Sequence, residues 1–310
     1  MSEPLFKKIA LIGAGLIGSS IAHAARRANL AGHIAAYVPR PATRAKAEAA
    51  GFADSLHAEL KPAVEGADLV ILCTPIGTYG NLARDLAPYL EKGSILTDVG
   101  SVKTGVVRDV GPHVPEGVHF IPGHPIAGTE QSGPEAGFAE LFDGRWCILT
   151  PAPGTDPAAL EKLKEFWRRC GSEVEIMDAK HHDLVLAIVS HVPHLIAYNI
   201  VGTAADLETV TQSEVIKYSA SGFRDFTRIA ASDPTMWRDI FLNNREAVLE
   251  MLGRFNEDLT ALQRAVRWGD GETLFNLFTR TRAIRRSIVA AGQDTEAPNF
   301  GRSMRRSEKS

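Results

Sequence analysis

Sulfur, one-sided charge and long apolar runs are all scarce in this chain, and each scarcity removes a class of protein. The three cysteines, Cys73, Cys147 and Cys170, have no metal-binding spacing. Cys73 and Cys147 fall in apolar, strand-like runs, so the expectation is buried free thiols in a reducing compartment. No run of about 18 consecutive apolar residues is present to span a bilayer. The first residues, MSEPLFKK, lack the basic-then-apolar order of a signal peptide. These absences predict a cytoplasmic protein without a membrane partner. A formal net charge of -3 gives no sign of a nucleic-acid partner. Positive charge gathers only in the tail, at Arg302, Arg305, Arg306 and Lys309, where a frayed, solvated terminus accounts for it. No internal repeat is visible, and the one low-complexity stretch starts near Gln293.

What remains is a globular chain of 310 residues, 45% apolar and 23% charged, long enough for two domains. Strand candidates are Lys8–Ile12, Ile34–Val38, Leu69–Cys73, Ile95–Val99, His119–Ile121, Trp146–Leu149 and Glu173–Ile176. Several are continuous apolar runs, as strands buried on both faces of a parallel sheet require. Helical patterns such as Ser19–Ala28 and Thr78–Leu90 separate them, which predicts a doubly wound α/β domain over residues 1–178. Beyond Asp178 the pattern is helical. His181–Asp206, Gln212–Ala220, Pro234–Ala265 and Glu272–Ala291 make an all-α domain over 179–292, suited to dimerisation, and 293–310 form a polar, basic tail.

Gly13-Ala14-Gly15-Leu16-Ile17-Gly18 lies between an apolar strand and a helix, the context that makes G-x-G-x-x-G a dinucleotide fingerprint. Gly13 permits the turn, Gly15 admits a pyrophosphate and Gly18 lets helix and strand pack closely. The opening residues of the helix, with Leu16 and Ile17, then present free N–H groups to the phosphates. After the second strand, where an Asp or Glu would read the ribose, the chain has Tyr37-Val38-Pro39-Arg40-Pro41-Ala42-Thr43-Arg44. Arg40 and Arg44 can face a 2′-phosphate, with Thr43 adding a hydroxyl, which favours NADP over NAD; the alternative is that both arginines are solvated. Thr74 and Pro75 close the third strand, either as backbone contacts to the nicotinamide ribose or as a plain strand-to-helix turn.

Gly123-His124-Pro125-Ile126-Ala127-Gly128-Thr129-Glu130-Gln131-Ser132-Gly133 is too rich in Gly and Pro for a helix or strand interior, so a shaped loop is expected. His124 in it is a candidate general base, because a neutral imidazole near pH 7 can take a hydroxyl proton. Ser101 stands after a strand, at the ligand-binding edge of such a sheet, and serves either substrate or as a helix N-cap. Ser190-His191-Val192-Pro193-His194 interrupts an apolar helix, since Pro193 lacks the N–H of the ladder. Gly222-Phe223-Arg224-Asp225-Phe226-Thr227-Arg228 sets two arginines four apart, and Arg228 can grip a carboxylate bidentately. Asp233 or Ser232 can cap the next helix, and Trp237 lines either the pocket or the core. His181-His182-Asp183 is not taken as a metal site, because adjacent helical residues face different ways.

The run GHPIAGTEQSG, with GSVK, SHVPH and GFRDFTRIA…DPTMW in the same order, resembles the prephenate/arogenate dehydrogenase family from about Lys8 to Phe300. The resemblance implies a Rossmann-type sheet domain followed by a helical one, and oxidative decarboxylation of prephenate or arogenate with NAD(P). It implies that His124 accepts the ring hydroxyl's hydrogen bond and then its proton, and that Ser101 touches substrate and orients His124. It places His191 against the substrate and Arg228 on its carboxylate. Glu130 shapes the entrance through ion pairs, with Arg224 as a candidate partner. Aromatisation drives loss of CO₂, so no metal is expected. No chorismate mutase or ACT segment is visible, which suggests a stand-alone dehydrogenase. Two rivals remain: a β-hydroxyacid-type dehydrogenase, for which Lys217 is the candidate lysine, and a dinucleotide-binding redox sensor that needs no base.

Overall fold

The computed structural model describes residues 3–129, 131–211, 217 and 220–290. Its first half is a six-stranded, wholly parallel sheet in the order β3-β2-β1-β4-β5-β6, with β1 Phe6–Ile12, β2 Ala31–Tyr37, β3 Ser55–His57, β4 Leu69–Leu72, β5 Ile95–Asp98 and β6 His119–Phe120. The continuous apolar runs are explained by cover on both faces. Ile9 and Leu11 point into one core with Ile21 and Trp167, while Ala10 and Ile12 point into another with Tyr79 and Val106. Helices α1 Leu16–Arg27, α2 Pro41–Ala50, α3 Leu60–Val64, α4 Tyr79–Leu86, α5 Thr104–Val110 and α6 Pro157–Arg169 alternate with the strands.

A second, three-stranded sheet was not foreseen in full. β7 Gly123–Pro125 runs antiparallel to β8 Trp146–Leu149, which runs parallel to β9 Glu173–Ile176. The head of the expected Gly-rich loop is therefore strand: His124 pairs with Ile148 across the ladder. β3 also escaped the sequence reading, being three residues of mixed polarity at the sheet edge. Cys147 and Cys170 are buried free thiols, whereas Cys73 is only partly buried.

The helical half follows the predicted run with two local differences. α7 Ala179–Leu186 passes through a π-helical turn, Ala187–His191, into α8 Val192–Thr211. The widened turn lies just ahead of Pro193, and such turns are frequent at functional sites. The stretch Ala179–Asp206 is long and apolar enough, by length and composition alone, to cross a membrane. Its His182, Asp183 and His191 are instead buried among protein groups. After α9 Ser221–Thr227, the single helix expected from Pro234 breaks into α10 Pro234–Asn243 and α11 Arg245–Trp268, and α12 Gly271–Ala290 ends the described chain. Asp233 caps α10 by accepting from the Met236 N–H, with Pro234 in the first turn. Trp237 and Ile240 of α10 join the core beside Tyr79 and Val102. Nearly all of the expected Gln212–Ala220 helix, and the tail 293–310, lie outside the described residues. By compactness the chain divides between Val248 and Leu249 into two units. Everything below except one surface patch belongs to the first.

Candidate active site

The glycine-rich turn sits at the carboxyl edge of the parallel sheet. Gly13 has φ of 116°, and a Cβ there would lie 2.9 Å from the Thr74 side chain and 3.0 Å from the Cys73 carbonyl carbon. Only glycine fits both the backbone and the space. At Gly18 a Cβ would meet the Gly13 carbonyl oxygen at 2.5 Å, the close helix–strand packing the motif predicts. Gly15 differs: nothing lies within 4 Å of its Cβ direction, so open space faces the start of α1. No side chain caps that 12-residue helix, which leaves its first N–H groups for an anion. These features fit a dinucleotide pyrophosphate over Gly15, Leu16 and Ile17. Thr74 bonds Thr78 through their hydroxyls at 2.8 Å, and Pro75 opens a 3₁₀ turn. Arg40 is exposed at the N-cap position of α2, and Arg44 donates to the Val38 and Pro39 carbonyls at 3.0 and 3.4 Å. Thr43 is half-buried in the same first turn.

Across this edge lies a chain of buried polar groups. Asp183 of α7 accepts from the amides of Lys103 and Thr104 at 2.7 and 2.9 Å, capping α5 from another element. Ser101 is therefore not the cap of α5; it occupies the half-buried bend before it. Asp183 Oδ1 also contacts His182 Nδ1 at 2.9 Å, and His182 Nε2 contacts His124 Nδ1 at 2.9 Å. A carboxylate only accepts, so His182 carries its proton on Nδ1 and offers the Nε2 lone pair. His124 then donates from Nδ1, and its own Nε2 keeps a free lone pair. The sequence reading set His182 and Asp183 apart as facing different ways. They converge because α7 is enclosed on more than one side: His182 reaches β7 and Asp183 reaches α5.

Burial holds the His124 imidazole well below the usual histidine range, aided by the neighbouring His182, Lys103 and His191. His182 is lowered mainly by burial, against the pull of Asp183. His191 is pushed down to about 4 by burial. All three are neutral at pH 7, as a proton acceptor and its supports must be.

The helical residues named by sequence come together here in part. His191 is fully buried, and the Asn244 amide nitrogen contacts its Nδ1 at 3.0 Å and the Asp183 carbonyl at 2.8 Å. With Nδ1 accepting, the proton is on Nε2, which is buried with no partner among the described residues. Trp237 Nε1 is a second buried donor without one. Their rings lie 6.1 Å apart, and His194 stacks on Trp237 at 3.6 Å. Arg228 is exposed, yet close enough to lower the His194 imidazole further after burial. Arg224 is exposed and contacts its neighbour Asp225 at 3.4 Å. Glu130 lies outside the described residues. Asn244 went unnoticed in the sequence, yet it explains the break between α10 and α11: its side chain turns inward to His191.

A parallel sheet with an open glycine cradle, facing a buried neutral histidine and two unpartnered donors, defines a dinucleotide-dependent oxidoreductase. The profile for the prephenate dehydrogenase nucleotide-binding domain matches residues 21–176, and that for the prephenate dehydrogenase dimerization domain matches residues 178–280. Cyclohexadienyl dehydrogenase of Zymomonas mobilis is 40% identical over 284 residues, covering 92% of this chain and 97% of that protein. The crystal structure of Aquifex aeolicus prephenate dehydrogenase with hydroxyphenyl propionate and NAD+ superposes with a TM-score of 0.85 at 35% identity, covering 91% of this chain and 98% of that one. Synechocystis arogenate dehydrogenase gives 0.75 at 28% identity, with 90% and 99% covered. The chain belongs to the prephenate dehydrogenase family.

Proposed function

We propose that this protein is an NAD(P)-dependent dehydrogenase that oxidatively decarboxylates prephenate or arogenate, giving 4-hydroxyphenylpyruvate or tyrosine. The observation that carries the reading is the free Nε2 lone pair of His124, fixed by the His182–Asp183 chain at the nucleotide edge of the sheet. Nε2 accepts a hydrogen bond from the ring hydroxyl and then its proton. The charge that develops on His124 is steadied through Nδ1–H by His182 and Asp183. A nicotinamide bound at this edge would supply the hydride acceptor for the same ring carbon. Loss of the ring carboxylate as CO₂ follows from aromatisation, and the proton on Nε2 is available to the resulting phenolate. His191 Nε2–H and Trp237 Nε1–H are the buried donors a polar substrate meets, and Arg228 takes a carboxylate. Ser101, in the bend before α5, is a substrate contact in this reading, and the site draws on residues of both 1–178 and 179–292.

Steady-state kinetics with prephenate and arogenate test this. His124→Asn should lower kcat by about 10²–10⁴-fold, the usual worth of a general base, with dinucleotide affinity kept. Arg228→Ala should raise KM for whichever acid is used, by roughly 30-fold or more, the cost of one charge-assisted pair. Full turnover in His124→Asn, or no turnover of either acid by the native protein, contradicts the reading.

The first turn of α2 supports a preference for NADP. It lacks a side-chain cap, has no carboxylate to repel a 2′-phosphate, and offers Arg40, Arg44 and the Thr43 hydroxyl. Replacing both arginines with Ala should weaken NADP by about 10–100-fold, as expected for lost charged hydrogen bonds, and leave NAD nearly unchanged. A native kcat/KM that favours NAD by about tenfold or more would refute the preference.

The second unit leaves Trp268 77% and Phe275 70% exposed, with Phe278 and Ile284 also open. Apolar surface of that kind marks an association site, and it supports a homodimer joined through the helical half. Sedimentation velocity should give twice the chain mass of 33.5 kDa, and a monomer at micromolar concentration would contradict it.

A further inference from the structure

Lys103 and Asp98 form a completely buried ion pair that the reaction as described does not use. Lys103 Nζ lies 2.5 Å from Asp98 Oδ2, and both side chains have zero exposure. Each also grips the residue that precedes the proton acceptor. Lys103 Nζ donates to the Gly123 carbonyl at 2.6 Å, and the Gly123 N–H donates to Asp98 Oδ1 at 3.1 Å. Asp98 accepts a further bond from the Gly100 N–H at 2.8 Å. The fit is close: a Cβ on Gly123 would stand 3.1 Å from the Asp98 carbonyl oxygen and from Leu149. Asp98 ends β5 of the nucleotide-binding sheet, while Gly123 opens β7 of the second sheet. The backbone N–H of Lys103 is in turn one of the donors to Asp183.

We propose that the Asp98–Lys103 pair is a positioning element for His124: it clamps both polar groups of the Gly123 peptide and so sets the imidazole relative to the nucleotide edge. The pair acts through Gly123 and touches no reacting atom. A second consequence is electrostatic. The groups facing His124 are His182 and His191 from the α7–α8 run and Lys103 from the loop after β5, with Asp183 and Asp98 behind them. Of these, Lys103 is the cation, and its charge disfavours the imidazolium. Burial itself works against ionisation of the pair, raising the Asp98 carboxyl and lowering the Lys103 ammonium. That a charged pair sits here at all, where two apolar residues would serve packing, points to a role in orientation.

The inference rests on His124 as the acceptor, and the test separates the two. Lys103→Met and the double variant Asp98→Asn/Lys103→Gln are compared with the native protein for kcat, KM, dinucleotide affinity, melting temperature and the acid limb of kcat/KM. Lys103→Met leaves a buried charge alone and is expected to lose stability. The double variant is neutral, keeps polar groups in place and is expected to fold. Both should lose about 10²-fold in kcat, the scale of an ångström misplacement, with dinucleotide affinity within about threefold of native. The acid limb should move upward, because removing the cation makes His124 easier to protonate. A folded double variant with native kcat and an unmoved acid limb overturns the inference, as does activity lost only in proportion to the unfolded fraction. If His124→Asn also retains turnover, the proton acceptor itself has been misassigned; if it does not, only the role of the pair falls.

Discussion

A carboxylate shut away from water must find donors, and the way Asp183 finds them organises this site. It accepts from the amides of Lys103 and Thr104 and from His182, with its side chain only 3% exposed. One side chain thus caps a helix of the nucleotide domain, fixes the tautomer of a histidine on α7 and, through that histidine, leaves His124 of β7 with its lone pair on Nε2. Three elements far apart in sequence are tied to a single group. Leaving a buried carboxylate short of one donor typically costs about 1–3 kcal/mol or more, a sizeable part of the roughly 5–15 kcal/mol that holds a domain together. The catalytic arrangement and the stability of the first unit therefore share their supports.

The two halves of the first unit divide the chemistry. The parallel sheet supplies an uncapped helix start and an open glycine cradle, both of which suit an anionic dinucleotide. The α7–α8 run and α10 supply the buried donors of His191 and Trp237 and the dry walls that keep the imidazoles neutral, and the turn after α9 carries Arg228. Burial dominates the electrostatics of all three inner histidines, and the charged neighbours modulate it. Neutrality at His124 is useful only because His182 is also neutral, since an imidazolium at His182 would have no lone pair to offer.

Much of this was legible in the chain, for identifiable reasons. Parallel strands covered on both faces are continuous apolar runs, so β1, β4 and β5 could be read to within two residues. The glycine fingerprint was readable because Gly13 and Gly18 answer steric demands that no other residue meets, while Gly15 leaves open space. β7 was not, since Gly and Pro argue against a strand, and its ladder partner, β8, is more than twenty residues away. The break at Asn244 was hidden because the apolar period runs on through it. His182 and Asp183 were passed over on the rule that helical neighbours diverge, a rule that holds for a helix with one buried face. Lys103 was read only as the end of GSVK and Asp98 only as part of a strand, and the fold alone shows that they grip Gly123 together.

The central claim is the protonation state of His124, and nitrogen-15 spectroscopy of the histidine rings reads it directly. In the free protein the account predicts a neutral His124 with the proton on Nδ1 and a bare Nε2, persisting as the pH is lowered through about 6.5, the ordinary imidazole value. A His124 ring protonated on Nε2 at neutral pH, or one that becomes imidazolium at that ordinary value, would contradict it.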